Sequence, residues 1–186
     1  MVASPSDQAL IERLRSGDRG AFRALYARYG QPTFRFLRRL VGRRDAAEDL
    51  HQETWLRVAR NQEKLWADSD LGAWIFAIAR NTFVSSCRRD ANGARDDAAE
   101  AATITDGDPT CLDLERALMR LPEAQREILS LVGVEGLEIA RVATILGLRE
   151  DAVRQRLTRA RAALAQALDA APEHEADDSK LRRGAR

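Results

Sequence analysis

The chain has 186 residues, of which 30 are Lys or Arg and 29 are Asp or Glu, so its formal net charge is +1. Two cysteines cannot form a disulfide framework, which favours a reducing, cytoplasmic location. No segment approaches the roughly 20 apolar residues of a transmembrane helix, and no signal peptide is recognisable. With only 5% aromatic residues, this composition argues against a secreted, membrane or β-rich protein.

The charged residues are distributed unevenly along the chain. Residues 1–90 carry 16 basic and 11 acidic side chains, a net charge of +5, whereas residues 91–112 have a net charge of −4. The basic half indicates an anionic partner, and the small, polar, acidic residues from Arg89 to Thr110 predict a flexible linker. The predicted organisation is a first unit at 1–89, a linker at 90–110, a second unit at 111–170 and a disordered tail at 171–186.

Apolar residues recur at helical spacing in both units, and no alternation is long enough for a β-sheet, so we predict an all-α fold. The predicted helices are Asp7–Arg15, Arg19–Val41, Asp45–Arg60, Leu71–Arg88, Leu112–Arg120, Pro122–Val134, Glu138–Leu146 and Arg149–Leu168. We expect Pro32 to bend or interrupt the second helix, and Pro122 to occupy the first position of its helix.

The third predicted helix carries an acidic and amide face. Asp49, Gln52 and Glu53 lie on one side together with Leu56, opposite the apolar side of the helix. Such a face suits docking to another protein, although taken alone it is more typical of a solvated surface. His51 lies towards the core side, and we expect a packed histidine there rather than a metal ligand.

The fourth predicted helix has a wide apolar stripe and carries Trp74 and Asn81 together on another side. The loop before it contains Lys64, Trp66, Asp68 and Ser69. Aromatic, amide and basic groups at one edge can stack on unpaired bases and bond to them. In isolation, the pattern is more typical of core and surface packing.

A helix-turn-helix pattern over residues 136–161 is the most specific local motif. Gly147 suits the left-handed position after the first helix, and the second helix begins with acidic residues at its positive end. Val153, Leu157, Ala160 and Leu164 are expected to face the core. The other side and its flanks carry side chains that suit base edges and phosphates: Arg149, Arg154, Gln155, Arg156, Thr158, Arg159 and Arg161. The five arginines favour DNA binding over a solvated charged face.

The order of these features resembles the extracytoplasmic-function (ECF) sigma factors of bacterial RNA polymerase over residues 7–168. The resemblance depends on the acidic helix face, the run Ala73–Asn81 (AWIFAIARN), the linker, and Leu121–Glu127 (LPEAQRE) followed by the helix-turn-helix. It implies a region 2 bundle and a region 4 helix-turn-helix. The implied function is that of an alternative sigma factor, which brings core RNA polymerase to promoters and melts the −10 region.

The resemblance also implies roles for the candidate residues. Asp49, Gln52 and Glu53 would dock on the clamp helices of the polymerase β′ subunit, with the β flap as a further contact. The −10 element would be engaged by Lys64, Trp66, Asp68, Ser69, Arg80 and Asn81. The −35 element would be read by Arg149, Arg154, Gln155, Arg156, Thr158, Arg159 and Arg161. A cognate anti-sigma factor is expected as a further partner, and the linker would thread towards the polymerase active-site channel.

The chain departs from the family pattern at Ile139-Ala140-Arg141, where an aromatic residue and two acids are usual, and also at His51 and Thr158. Three other functions fit the sequence less well. A stand-alone helix-turn-helix regulator leaves the acidic face and the Trp74–Asn81 side unexplained, and a sigma-mimicking partner of an anti-sigma factor does not need the five arginines. An enzyme is least favoured, since no phosphate loop or nucleophile motif occurs. No catalytic residue, metal or cofactor is predicted.

Overall fold

The computed structural model describes residues 6–66, 68–92 and 109–169, and these residues form helices and turns without a strand. The helices are α1 (Asp7–Arg15), α2 (Arg19–Val41), α3 (Arg44–Asn61), α4 (Leu71–Asn92), α5 (Pro109–Met119), α6 (Glu123–Leu129), α7 (Ile139–Leu146) and α8 (Glu150–Asp169). A 3-10 helix follows α3 at Gln62–Lys64, and a π-helical turn extends α6 over Ser130–Val134. The predicted all-α class is confirmed. Most of the predicted linker and the predicted tail lie outside the described residues.

Helix α2 runs without interruption from Arg19 to Val41. The interruption that the sequence predicted as one possibility at Pro32 does not occur. A proline inside a helix has no N–H to donate to the carbonyl four residues earlier. The carbonyl that loses this donor is that of Arg28, and the Thr33 hydroxyl donates to the next two carbonyls, those of Tyr29 at 2.7 Å and Gly30 at 3.0 Å. Helix α2 packs against α3 and α4, and this packing keeps the helix continuous at the proline.

Two apolar clusters hold the helices together. The first lies within the N-terminal bundle and joins α1 to α2, α3 and α4 through Leu10, Leu14, Leu25, Val58 and Ile75. The second is common to both units and includes Phe36, Phe76, Phe83, Ile128, Val142 and Leu157. Helices α2 and α4 of the bundle therefore pack directly against α6 and α7.

The helix-turn-helix of the second unit consists of α7 and α8. Gly147 follows α7 with φ of +65°, in the left-handed conformation that its position predicted. Pro122 precedes the first residue of α6 and has an extended ψ of 143°, so it is the residue before the helix and not its first position. Helix α4 continues to Asn92, three residues past the predicted end of the first unit. Among the described residues, no helix combines the length and apolarity that crossing a membrane requires.

Candidate polymerase and promoter interfaces

The outer face of α3 presents the acidic and amide residues that the sequence singled out. The inner face buries Ala47, Leu50, Thr54, Trp55 and Val58. Asp49, Gln52 and Leu56 are exposed on the outer face, and Glu53 is half-buried. The Arg57 Nε donates to the Glu53 carboxylate at 2.8 Å, one helical turn away. This face offers a partner two carboxylates and an amide around an exposed leucine.

His51 is packed among aromatic rings between α2 and α3. Its ring centroid lies 5.6 Å from that of Phe34 and 5.9 Å from that of Tyr26. The Trp55 indole Nε1 and the Gly30 carbonyl oxygen each lie 2.9 Å from Nε2, so this nitrogen either accepts from the indole or, when protonated, donates to the carbonyl. Burial lowers the pKa of His51, with the Gly30 carbonyl acting in the opposite direction. The neutral ring is therefore the form that suits this packing.

The loop before α4 exposes an indole and a lysine. Trp66 is 75% exposed. Its backbone N–H donates to the Ser69 hydroxyl at 2.9 Å, and the Ser69 N–H donates to the Trp66 carbonyl at 3.0 Å. Lys64 and Asp68 are exposed beside this turn, and the Lys64 ammonium donates to Asn61 at 2.9 Å. The turn holds the indole in solvent, where an unpaired base can stack on it.

Arg80 and Asn81 are neighbours on α4 but have different surroundings. Asn81 is exposed, whereas the Arg80 Nε donates to Glu127 Oε1 of α6 at 2.7 Å. Burial raises the pKa of Glu127, and the charge of Arg80 opposes that rise. Asn81 lies ten residues beyond Leu71, so at 1.5 Å per residue it is about 15 Å along α4 from the start of the helix. The predicted −10 residues are spread along the loop and α4 and do not converge on one pocket.

Helix α8 and Arg149 directly before it present every residue that was predicted to read the −35 element. Its buried residues are Val153, Leu157 and Ala160, as expected, and Leu164 is half-buried. The exposed side chains are those of Arg149, Arg154, Gln155, Arg156, Thr158, Arg159 and Arg161. Arg154 pairs with Glu150 at 2.7 Å and with Asp151 at 3.3 Å in the first turn of the same helix. The basic face is therefore accessible, but Arg154 already has two acidic partners.

Sequence reasoning missed the ion pairs that join the two units. The Arg141 Nε lies 2.6 Å from Asp70 Oδ2 at the end of the exposed loop. The Arg39 guanidinium of α2 donates to Glu135 Oε1 at 3.1 Å. Arg141 belongs to the segment that departs from the family pattern, which marked the position as unusual. The sequence contains no local pattern that identifies its partner.

Comparison with known proteins places both units in the sigma factors. Residues 25–92 match Sigma-70 region 2 and residues 111–164 match Sigma-70 region 4. The chain is 32% identical to the RNA polymerase sigma-H factor of Pseudomonas aeruginosa over 188 residues, covering 90% of this chain and 96% of that protein. It is 37% identical to the ECF RNA polymerase sigma factor EcfG of Rhodopseudomonas palustris over 148 residues, covering 75% of this chain and 82% of that protein.

A solved structure has the same fold. The sigma factor RpoE from Bartonella quintana, crystallised with the anti-sigma factor NepR, superposes with a TM-score of 0.69 at 28% identity, covering 81% of this chain and 98% of that one. The chain belongs to the ECF sigma factor family of bacterial RNA polymerase. It is an alternative sigma factor, which directs promoter recognition and transcription initiation by RNA polymerase. The predicted family, fold and function are confirmed.

Proposed function

We propose that the chain acts as a cytoplasmic, non-enzymatic subunit of RNA polymerase through three surfaces, one for polymerase and two for promoter DNA. In this proposal residues 1–89 form region 2, residues 111–170 form region 4, residues 90–110 link them, and 171–186 are a tail. The polymerase surface is the outer face of α3. Asp49, Gln52 and Glu53 bind the clamp helices of β′, and the carboxylates of the exposed Asp49 and the half-buried Glu53 give this contact its charge complementarity.

The −10 surface is formed by the exposed loop and by the middle of α4. Trp66 stacks on a base of the melted strand, and the Asn81 amide bonds to the edge of an extruded base. Lys64 and Arg80 supply positive charge for the strand backbone. Asp68 and Ser69 shape the loop, and the bond between Ser69 and the Trp66 backbone supports this role.

The −35 surface is the exposed face of α8, which enters the major groove. Arg154, Gln155, Thr158 and Arg159 lie opposite the buried stripe of the helix, where side chains can reach base edges. The arginines at the margins and at the start of the helix contact phosphates: Arg149, Arg156 and Arg161. The exposure of all seven residues, six on α8 and Arg149 directly before it, in the matched region 4 is the observation that carries the proposal.

Run-off transcription tests the proposal as a whole. Purified core RNA polymerase is combined with the chain on promoters taken from neighbouring genes, and specific transcripts are expected only when both are present. A stand-alone regulator would bind duplex DNA but would not co-purify with core polymerase. A cognate anti-sigma factor is a further proposed partner, supported by the relative that was crystallised with one. Adding that partner should abolish the specific transcript.

A further inference from the structure

The beginning of α8 places two carboxylates against an arginine of the exposed face. Glu150 and Asp151 are the first two residues of the helix, and Arg154 follows about one turn later. The Arg154 Nη2 lies 2.7 Å from Glu150 Oε2, and its Nη1 lies 3.3 Å from Asp151 Oδ1. Each terminal nitrogen of this guanidinium therefore has a carboxylate of its own.

The other arginines of this face have different surroundings. Arg149 lies 3.8 Å from Asp151 Oδ2, which is a longer contact. Arg159 and Arg161 are exposed, and neither forms an ion pair within the part of the chain that the structure describes. Arg154 is thus the arginine of α8 that two carboxylates hold at once.

The two carboxylates also stabilise the helix that carries them. Acidic side chains in a first turn interact favourably with the positive end of a helix, and ion pairs spaced three or four residues apart add to its stability. Both effects act on folding and are the same with or without DNA. They do not determine which acceptor on DNA Arg154 can bind, because that choice depends on the charge of the acceptor.

The carboxylates discriminate between the two acceptors that DNA offers to an arginine. A phosphate accepts two N–H groups from a guanidinium but is an anion, so at Arg154 it meets the negative charges of Glu150 and Asp151. The edge of a guanine accepts through N7 and O6 and carries no net charge. Replacing the carboxylates with a base edge therefore avoids a repulsion that a phosphate incurs.

Arg154 is placed where both acceptors are within reach. The second helix of a helix-turn-helix contacts base edges through its N-terminal residues, while phosphates line both sides of the groove. The side chains of Glu150 and Asp151 are 47% and 73% exposed, so water can hydrate them again when the guanidinium leaves. Transfer of Arg154 to a base edge consequently leaves no buried charge behind.

We propose that Glu150 and Asp151 are specificity-determining residues, which keep Arg154 off the DNA backbone and reserve it for a base edge of the −35 element. On DNA that lacks the correct base, Arg154 stays with the carboxylates and neutralises no phosphate. This inference rests on the proposed function, because it needs α8 in the groove of the −35 element. The ion pairs themselves are present without DNA and can be measured without it.

The test compares two double variants of the full chain in the reconstituted holoenzyme. The release variant is Glu150→Gln with Asp151→Asn, which removes both negative charges with little change in size. The control is Glu123→Gln with Asp169→Asn, which makes the same change in net charge. Glu123 is the first residue of α6 and Asp169 the last residue of α8, and both are exposed. Circular dichroism establishes that both variants retain their helices; should the release variant lose them, Glu150→Gln alone repeats the measurements.

The readout is the salt dependence of binding to two duplexes. Both carry the −10 element of a promoter identified by run-off transcription; one keeps its −35 element and the other has that element scrambled. Each phosphate contact changes the logarithm of the affinity by about 0.9 per tenfold change in salt. Lowering the salt from about 0.2 M to about 0.05 M should therefore raise the affinity of the release variant for the scrambled duplex about 3.5-fold more than that of the control. On the intact duplex, the two variants should have the same salt dependence.

Arg154→Ala separates release of the arginine from the charge of the carboxylates. In the Arg154→Ala background, the release variant and the control should have the same salt dependence on the scrambled duplex. A role of the two acids in helix stability alone would change thermal unfolding and leave the salt dependence unaltered.

Three results would overturn the proposal: an unchanged salt dependence of the release variant on the scrambled duplex, an equal increase on both duplexes, or an equal increase with and without Arg154. If the wild type binds the intact and scrambled duplexes equally well, the proposed −35 function itself fails. NMR of the free chain then still decides whether the carboxylates hold the arginine. Because both terminal nitrogens are paired, rotation about the Nε–Cζ bond of Arg154 should be slower than that of Arg159, and the release variant should abolish this difference. Equal rotation rates in the wild type would refute the ion pairs on which the inference depends.

Discussion

Replacing Arg154 with alanine should weaken −35 recognition and broaden its base preference. Arg154 lies on the exposed face of α8, and its side chain is 57% exposed. Its guanidinium pairs with Glu150 at 2.7 Å and Asp151 at 3.3 Å. It must leave these carboxylates before it can contact a base. The measured change in binding free energy is therefore the contribution of the base contact minus the contribution of the ion pairs that Arg154 gives up.

The magnitude follows from these two contributions. A bidentate contact between an arginine and a base gives about 1–3 kcal/mol of discrimination, and an exposed ion pair contributes about 0.2–1 kcal/mol. With middle values of about 2 kcal/mol for the base contact and about 0.6 kcal/mol for each of the two ion pairs given up, the net loss for Arg154→Ala is about 0.8 kcal/mol, roughly 4-fold in affinity. A promoter in which the contacted base pair is already changed should lose almost nothing.

Arg161 provides the matched control on the same helix. It lies at the margin of the exposed face, where we expect a phosphate contact. Arg161→Ala should weaken all sequences alike and reduce the salt slope by about one unit. The assay is binding of the reconstituted holoenzyme to a library of −35 variants at two salt concentrations. If Arg161→Ala shifts the base preference and Arg154→Ala does not, the assumed rotation of α8 in the groove is wrong.

Three further predictions concern other surfaces. Replacing Asp49 and Glu53 with lysine should weaken binding to core polymerase while circular dichroism shows unchanged helix content; wild-type affinity would contradict the docking face. Asn81→Ala should impair −10 opening more than closed-complex formation, and an unaltered permanganate pattern of reactive thymines would count against the base contact. Because burial holds the pKa of His51 below its ordinary value of 6.5, the unfolded chain takes up the proton first, and the stability contributed by the neutral ring is lost as pH falls below that value. Thermal unfolding at about pH 7.5 and 5.5 should show a larger drop for the wild type than for His51→Leu, and equal drops would refute this account.

The helices could be predicted closely because their determinants are local. The apolar spacing and the stop at Ser16-Gly17 define α1 and α2, and Asp18 caps α2 by accepting from the Gly20 N–H at 2.7 Å. Gly147 ends α7 through another local determinant, its left-handed backbone conformation. The continuity of α2 at Pro32 was not predictable, because it depends on packing against other helices.

The exposed face of α8 could also be predicted, since it lies opposite a buried stripe that is visible in the sequence. The sequence does not allow the prediction that Arg80 is covered by α6 while Asn81 stays exposed. Helical geometry alone puts both on the outside of an isolated bundle, and only the position of α6 decides which one is covered. Glu127 lies 47 residues from Arg80, and no periodicity connects the two positions.

The apolar cluster that spans both units has a consequence for synthesis of the chain. After Asn92 has been added, the ribosome must add roughly 75 further residues to complete α8 at Asp169, which takes about 4–15 s at 5–20 residues per second. During that interval the cluster around Phe76 and Phe83 is incomplete, because its α6, α7 and α8 members are added one after another. The nascent bundle therefore exposes apolar surface that a chaperone can bind until the later helices cover it. A chain truncated before α6 would expose this surface permanently.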